Sequence, residues 1–224
     1  MTPPVKRQYH SPKRAEAATA TRARIRTAAA GLFVQRGYVA TTMHDIARTA
    51  GVGERTVYDS FPTKADLFRH TLDVAIVGDE QPVAVAERPE IRSALAQTQP
   101  HAAIGHTIDY TVALLERAGD LIMVTVQAAD ADPDMKAAAD AGSAATHRLL
   151  LTLTSTLAEQ GALRAGLTAH TAADILYALA SPHVHQLLRR HRDWTTDRYH
   201  QWLTHTATQQ LLTHPPSAPG GGGR

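Results

Sequence analysis

The chain has no cysteine among its 224 residues, which excludes disulfide staples and thiol chemistry. Aromatic residues make up only 5% of it, with three phenylalanines and two tryptophans. No segment approaches the roughly 20 apolar residues of a membrane span, and no apolar signal region opens the chain. A cytoplasmic protein without membrane contact is therefore expected. Alternating β-branched runs are missing too, so strands are not expected. Metal-ligand patterns are scarce despite thirteen histidines. His183, His185 and His191 are close in sequence, but residues two apart on a helix point in different directions. No His-x-x-x-His pair accompanies them. Glycine-rich phosphate loops, nucleophile elbows and paired-carboxylate motifs are absent as well. No metal, no cofactor and no catalytic residue is expected.

What remains is helix-forming sequence, rich in alanine and punctuated by glycine. The stretch from Thr41 to Lys64, TTMHDIARTAGVGERTVYDSFPTK, carries the most information. Thr42 and Asp45 form a capping box, with Ile46, Ala47 and Ala50 following on one face. Gly51 can take positive φ and end that helix. Val52 anchors the turn. Gly53 is a tolerated but featureless cap for a second helix from Glu54 to about Ser60. Val57 and Phe61, four apart, give that helix its inner face. Pro62 stops it, and Thr63 to Asp66 repeats the capping box to launch a longer helix ending near Gly78. Two short helices across a glycine turn are the layout of a helix-turn-helix, whose second helix enters a DNA major groove.

The exposed positions suit that chemistry. If Val57 and Phe61 face inward, then Arg55, Thr56, Tyr58 and Asp59 cannot all do so. A guanidinium can take both acceptors of guanine, and a threonine can touch a thymine methyl. Tyr58 and Lys64 suit phosphate oxygens. Charge agrees: residues 1–70 carry twelve Lys/Arg against five Asp/Glu, and residues 71–224 carry eleven against sixteen. A basic first third is the footprint of a phosphate-binding module. A surface helix in an ordinary bundle, with a solubilising basic tail, is the plainer alternative.

From about Thr21 to Phe68 the chain resembles the DNA-binding domain of the TetR/AcrR family of transcriptional regulators. TRARIRTAAAGLFVQRGYVATTMHDIARTAGV is similar to its first helix and the start of its helix-turn-helix. TVYDSFPTKADLF is similar to its recognition helix and the lead into its fourth helix. The resemblance implies an all-α protein, with an N-terminal three-helix domain containing the helix-turn-helix and a C-terminal helical domain for ligand binding and dimerisation. It implies a homodimer on a palindromic double-stranded DNA operator, and a small-molecule effector that changes DNA affinity. It places Thr42, His44, Gly53, Arg55, Thr56, Tyr58 and Lys64 at the DNA side. The chain departs from the pattern at Gly53, where serine is common, at Glu54, where a basic or polar residue is common, and at Asp59, where an aromatic or histidine is frequent. Acids near phosphates are unfavourable, though cytosine amino groups could meet them.

The expected organisation is a disordered basic arm over 1–18, the DNA-binding domain over 19–66, a helical ligand-binding and dimerisation domain over 67–213, and a disordered tail over 214–224. Three prolines interrupt 79–100, leaving room for one short helix near Glu90 to Ala96. His101 to Arg117 has helical spacing, Leu121 to Ala129 is apolar all round, and a long helix is expected from Asp134 to Gln160, ended by Gly161. Thr168 to about His191 reads as one helix kinked at Pro182. Trp194-Thr195-Thr196 forms a turn and cap, the final helix follows, and in the TetR-like reading residues 168–213 pair with their symmetry mates as a four-helix bundle. A pocket for a largely hydrophobic ligand is expected among Ile104, Ile108, Val112, Met123 and Val126, with His106, Asp109, Gln127 and His147 as polar candidates. The function expected is a repressor released from its operator by that ligand. The alternatives are a constitutive DNA-binding protein, or a helical enzyme using His106, Asp109, Tyr110 and His147.

Overall fold

The computed structural model describes residues 12–78, 88–89, 92–93 and 97–213. The chain divides into two compact units, residues 1–72 and 73–224. Every named element among the described residues is helical. The tail 214–224, the first eleven residues and most of the short helix expected at 90–96 lie outside the described residues.

In the first unit, α1 (Pro12–Ala40) begins inside the stretch expected to be a disordered arm. A proline fits the first helical position, and the alanines after it favour helix. Gly37 interrupts α1 at φ 78° and ψ 169°, a conformation that only glycine adopts without strain. The turn it makes returns Tyr38 to the core, where the Tyr38 and Phe33 rings sit 5.4 and 5.0 Å from that of Phe68. All three phenylalanines and Tyr38 are buried in this unit. A few large rings thus close a core around three short helices, each ring burying large apolar area. Thr41 is fully buried, and its hydroxyl donates to the Gly37 and Leu32 carbonyls at 2.8 and 3.2 Å, capping the end of α1.

Helices α2 (Met43–Ala50) and α3 (Glu54–Ser60) follow, then α4 (Lys64–Val77), in which the boundary between the units falls. Thr63 caps α4 by accepting from the Asp66 N–H at 3.0 Å, and Gly78 ends it at φ 84°.

The second unit is built on two long helices. Helix α5 (Pro100–Ala128) runs through the two segments read separately in the sequence, with Gly119 in its interior. The glycine is an accommodation, because a Cβ there would meet the His185 ring at 3.3 Å. Helix α6 (Pro133–Glu159) is capped by Asp132, which accepts from the Asp134 and Met135 N–H groups. Gly161, at φ 65°, follows its end.

The helix expected over 168–191 is broken rather than kinked. Helix α7 (Ala169–Leu179) ends, Ser181 is extended at ψ 151°, and α8 (Pro182–Gln186) starts afresh on the Ser181 cap. A proline disfavours helical backbone at the residue before it, and here that residue has a side chain able to cap the restart. A π-helical turn, Leu187–His191, follows. Helix α9 (Thr196–Leu211) is capped by Thr195 as the TT pair predicts. Its end is tied to the α6–α7 connection, with Arg164 donating to Leu211 at 2.9 Å and Thr213 to Ala162 at 3.0 Å. The core of this unit joins Ile104, Ile108 and Val112 to Leu150, Leu153, Leu157, Leu176, Tyr199 and Leu203. No helix among the described residues is long and apolar enough to cross a membrane.

Candidate nucleic-acid interface

Helices α2 and α3 are joined as their residues demand. The Thr42 hydroxyl oxygen accepts from the Asp45 N–H at 3.1 Å and its hydrogen can go to Asp45 Oδ2 at 2.8 Å. Gly51 sits at φ 65° and ψ 40°, and its N–H donates back to the end of α2. Gly53 is extended at φ −68° and ψ 146° and supplies no side-chain cap to α3. Val57 and Phe61 are buried, which fixes the roll of α3.

The opposite side of α3 is open. Arg55, Thr56, Tyr58 and Asp59 are all exposed, with the Arg55 side chain 93% accessible. Thr42, His44 and Gly53, on the approach to α3, are exposed as well. Six of the seven DNA-side residues read from the sequence thus lie on the surface of one helix pair. Glu54, the unexpected acid, meets His44 Nδ1 at 3.2 Å, linking the starts of α2 and α3.

Lys64, the seventh, is held differently. Its ammonium donates to the Tyr38 carbonyl at 2.9 Å and the Thr41 carbonyl at 3.2 Å, and lies 4.2 Å from the centre of the Tyr38 ring. It secures the turn between α1 and α2. Arg22 is likewise structural: it donates to the Ser60 carbonyl at 2.7 Å and stacks 4.3 Å over the Phe61 ring, capping the end of α3. No local pattern signals either contact, because the partners are 23 to 38 residues away. Asp45 was read only as a cap partner. It also holds Arg48 at 2.7 Å and Arg36 at 3.8 Å. The Thr42 hydroxyl above all, with help from the Arg48 and Arg36 charges, holds its carboxyl below the usual range although burial opposes them.

The nine residues nominated for a ligand do not share one orientation. Ile104, Ile108 and Val112 are packed in the central cluster, and Met123 is buried elsewhere on α5. His106, Asp109, Val126 and Gln127 are exposed. Asp109 pairs with His200 at 2.6 Å, and half-buried His147 pairs with Asp174 at 2.9 Å. An open groove of about 530 Å³ lies instead in the first unit, along α1 and the end of α2, lined by Ala23, Thr27, Gly31, Leu32 and Ala50 among others.

The second unit has its own polar centre, which the sequence did not disclose. Glu116 on α5 accepts from Arg189 at 2.6 and 3.0 Å and meets His185 Nε2 at 2.9 Å. Arg189 also donates to the Trp194 carbonyl and to Thr196. The Arg189 hydrogen bonds, more than the His185 contact, hold the Glu116 carboxyl at about 2, although burial opposes them. Beside it, burial first and the Glu116 charge second push the Tyr199 phenol well up. Arg190 reaches Asp120 at 2.7 Å, one turn along α5 from Glu116. The π turn places adjacent arginines against both acids.

No curated protein matches the sequence. The sequence model for bacterial regulatory proteins of the tetR family matches residues 25–71. Similar folds occur in solved structures. NalD, the secondary repressor of the MexAB-OprM multidrug efflux pump in Pseudomonas aeruginosa, is 23% identical, with 88% of this chain and 98% of that one covered, at a TM-score of 0.67. A putative transcriptional regulator from Saccharomonospora viridis, solved with choline, is 19% identical over 88% of this chain and 100% of its own, at 0.67. SmeT in complex with triclosan is 18% identical over 90% and 96%, also at 0.67. Residues 25–71, which contain the helix-turn-helix, thus match the tetR-family regulatory domain, and the fold that carries them is shared with solved transcriptional regulators.

Proposed function

We propose that the protein is a homodimeric repressor that reads a palindromic operator through α3 and leaves it when a small, largely hydrophobic molecule binds. The observation that carries the DNA reading is the roll of α3. Val57 and Phe61 are sealed inside, so the face carrying Arg55, Thr56, Tyr58 and Asp59 is presented outward on a capped, rigid helix pair. Thr42, His44 and Gly53 extend the same surface, and Lys64 contributes by fixing the turn behind it.

Dimerisation is assigned to residues 168–213. Ile175, Leu179, Val184, Leu188 and Trp202 are only partly buried against the core, and Leu187 is exposed. An apolar fringe along consecutive helices is the kind of surface a symmetry mate covers. The effector is assigned to the helical unit, with buried Ile104, Ile108, Val112 and Met123 as the apolar contacts. Exposed His106, Asp109, Val126 and Gln127, and paired His147, are weaker candidates. The S. viridis neighbour holds choline and SmeT holds triclosan, which supports an effector without naming one. Because a ligand shifts an equilibrium only through different affinity for its two states, the effector must bind the DNA-free form more tightly.

Mapping bound DNA across the source genome, then titrating the recovered site by fluorescence anisotropy, tests this reading. Binding of one dimer to a two-fold symmetric site, with affinity falling when a hydrophobic metabolite from a panel is added, is expected. Binding that no compound weakens would favour a constitutive DNA-binding protein.

A further inference from the structure

On α3 the two residues standing furthest from the core carry opposite charges. At about 100° per residue, Arg55 and Asp59 lie roughly 160° either way from Val57. They are one turn apart, so their side chains share a face. Arg55 Nε lies 3.8 Å from Asp59 Oδ2, with the side chains 93% and 70% accessible. Whatever α3 inserts into, this pair enters first. A lone acid at the apex of a DNA-reading helix would only repel phosphates. An acid one turn from an arginine, on the Nε side of its guanidinium, has a second use.

We propose that Asp59 is a positioning and specificity residue, which holds Arg55 through Nε so that the remaining guanidinium N–H groups present their fork to guanine O6 and N7. The proposal rests on the reading of α3 as the DNA-reading helix. In water the pair is screened and contributes little. As the helix displaces water from the groove, the attraction between the two charges grows, and the arginine is fixed where its fork must find two acceptors. Guanine offers two there; adenine offers one acceptor and one donor. Over adenine, Arg55 would face a donor with its own donors, and the desolvated pair would be left unsatisfied. The free Asp59 oxygen can accept from the amino group of a neighbouring cytosine. Asp59 therefore lowers affinity for DNA in general and sharpens the demand for a G·C pair at one position of each half-site.

The test uses the full chain and four variants: Arg55→Ala, Asp59→Ala, Asp59→Asn and the double alanine. A preferred duplex is selected from a randomised library, and affinities are measured for it, for each guanine-to-adenine change within it, and for poly(dA·dT). For the wild type, one guanine change per half-site should cost about 5–150-fold, the range of a lost base contact. Asp59→Ala should reduce that discrimination by about 3–10-fold, as for a coupled contacting pair, while binding poly(dA·dT) no more weakly than the wild type. Asp59→Asn, which keeps a neutral acceptor, should fall between. The double variant should discriminate no worse than Arg55→Ala alone. If Asp59→Ala tightens every duplex by one factor and leaves the discrimination intact, Asp59 is only a repulsive charge and the proposal fails. Additive losses in the double variant overturn it equally. If no variant changes binding to any duplex, the assignment of α3 as the DNA-reading helix fails first.

Discussion

The two units of this chain solve the same packing problem with different materials. The first buries all three phenylalanines and Tyr38 around short helices. The second buries mainly leucine and alanine, with Tyr199 as the one large ring fully enclosed among its described residues. Their polar centres differ in parallel. In the first unit, besides the surface pairs of Asp45 with Arg48 and Arg36, two cations are anchored on backbone carbonyls, Lys64 at Tyr38 and Thr41, and Arg22 at Ser60. In the second the charged anchors are ion pairs between side chains, Glu116 with Arg189 and Asp120 with Arg190. A cation on carbonyls leaves no acid behind, so the first unit keeps its positive balance.

The largest effect expected from this contrast is in the aromatic core. Phe68→Ala should destabilise the first unit by about 3–5 kcal/mol, since the Phe33 and Tyr38 rings packed on it would face a cavity. Urea unfolding followed by tyrosine and tryptophan fluorescence together should separate the units, because both tryptophans, Trp194 and Trp202, belong to the second. A tryptophan transition displaced as far as the first would show that the units do not unfold separately.

Next in size is the Glu116 centre. Glu116→Gln should cost about 2–3 kcal/mol, as expected for hydrogen bonds that lose a charged partner. The folded carboxyl titrates at about 2, below its ordinary 4.5. A depressed acid contributes stability that is full above its unfolded value and is lost as pH falls through the folded one. The gap in urea midpoint between wild type and variant should therefore be constant above about pH 5 and narrow on the way to pH 2. A gap that stays level across that range would remove the ion pair as its cause.

Lys64→Ala should cost about 1.5–2 kcal/mol of stability in the first unit, because two carbonyls lose a charged donor. It should weaken all DNA sequences by a similar factor, through a less rigid turn. Selective loss at one base position would instead make Lys64 a base contact and erase the distinction drawn between it and Arg55. The smallest effect is Gly53→Ser. The backbone there is already extended, and the nearest atom to an added Cβ is Thr56 Oγ1 at 3.8 Å. A gain of a few tenths of a kcal/mol is expected, the usual difference between serine and glycine at a cap. Thermal melting resolves it, and a loss would mean that the cap hydroxyl cannot reach the Arg55 or Thr56 N–H.

Sequence reading succeeded unevenly along the chain. The caps at Thr42, Thr63 and Thr195, the glycine stops at Gly51, Gly78 and Gly161, and the inward roll of α3 were legible, because each signal acts within about four residues. Local pattern divides the run from His101 to Ala129 where α5 is continuous, since the value of Gly119 lies in making room for His185, 66 positions later. At Pro182 the apolar stripe continues and predicts a kink; Ser181 and the π turn instead allow a clean restart. Among ligand candidates, helical spacing alone could not separate core residues such as Ile104 from surface ones such as Gln127.

By itself the sequence determined the helices, their caps and the outward face of α3, including Arg55 and Asp59, because helix geometry follows from neighbours in the chain. Tertiary structure alone decided the work of Lys64, Arg22, Glu116 and Arg189. Their partners are carbonyls and carboxylates that folding brings near, and a long charged side chain has no preferred partner until the backbone around it is in place.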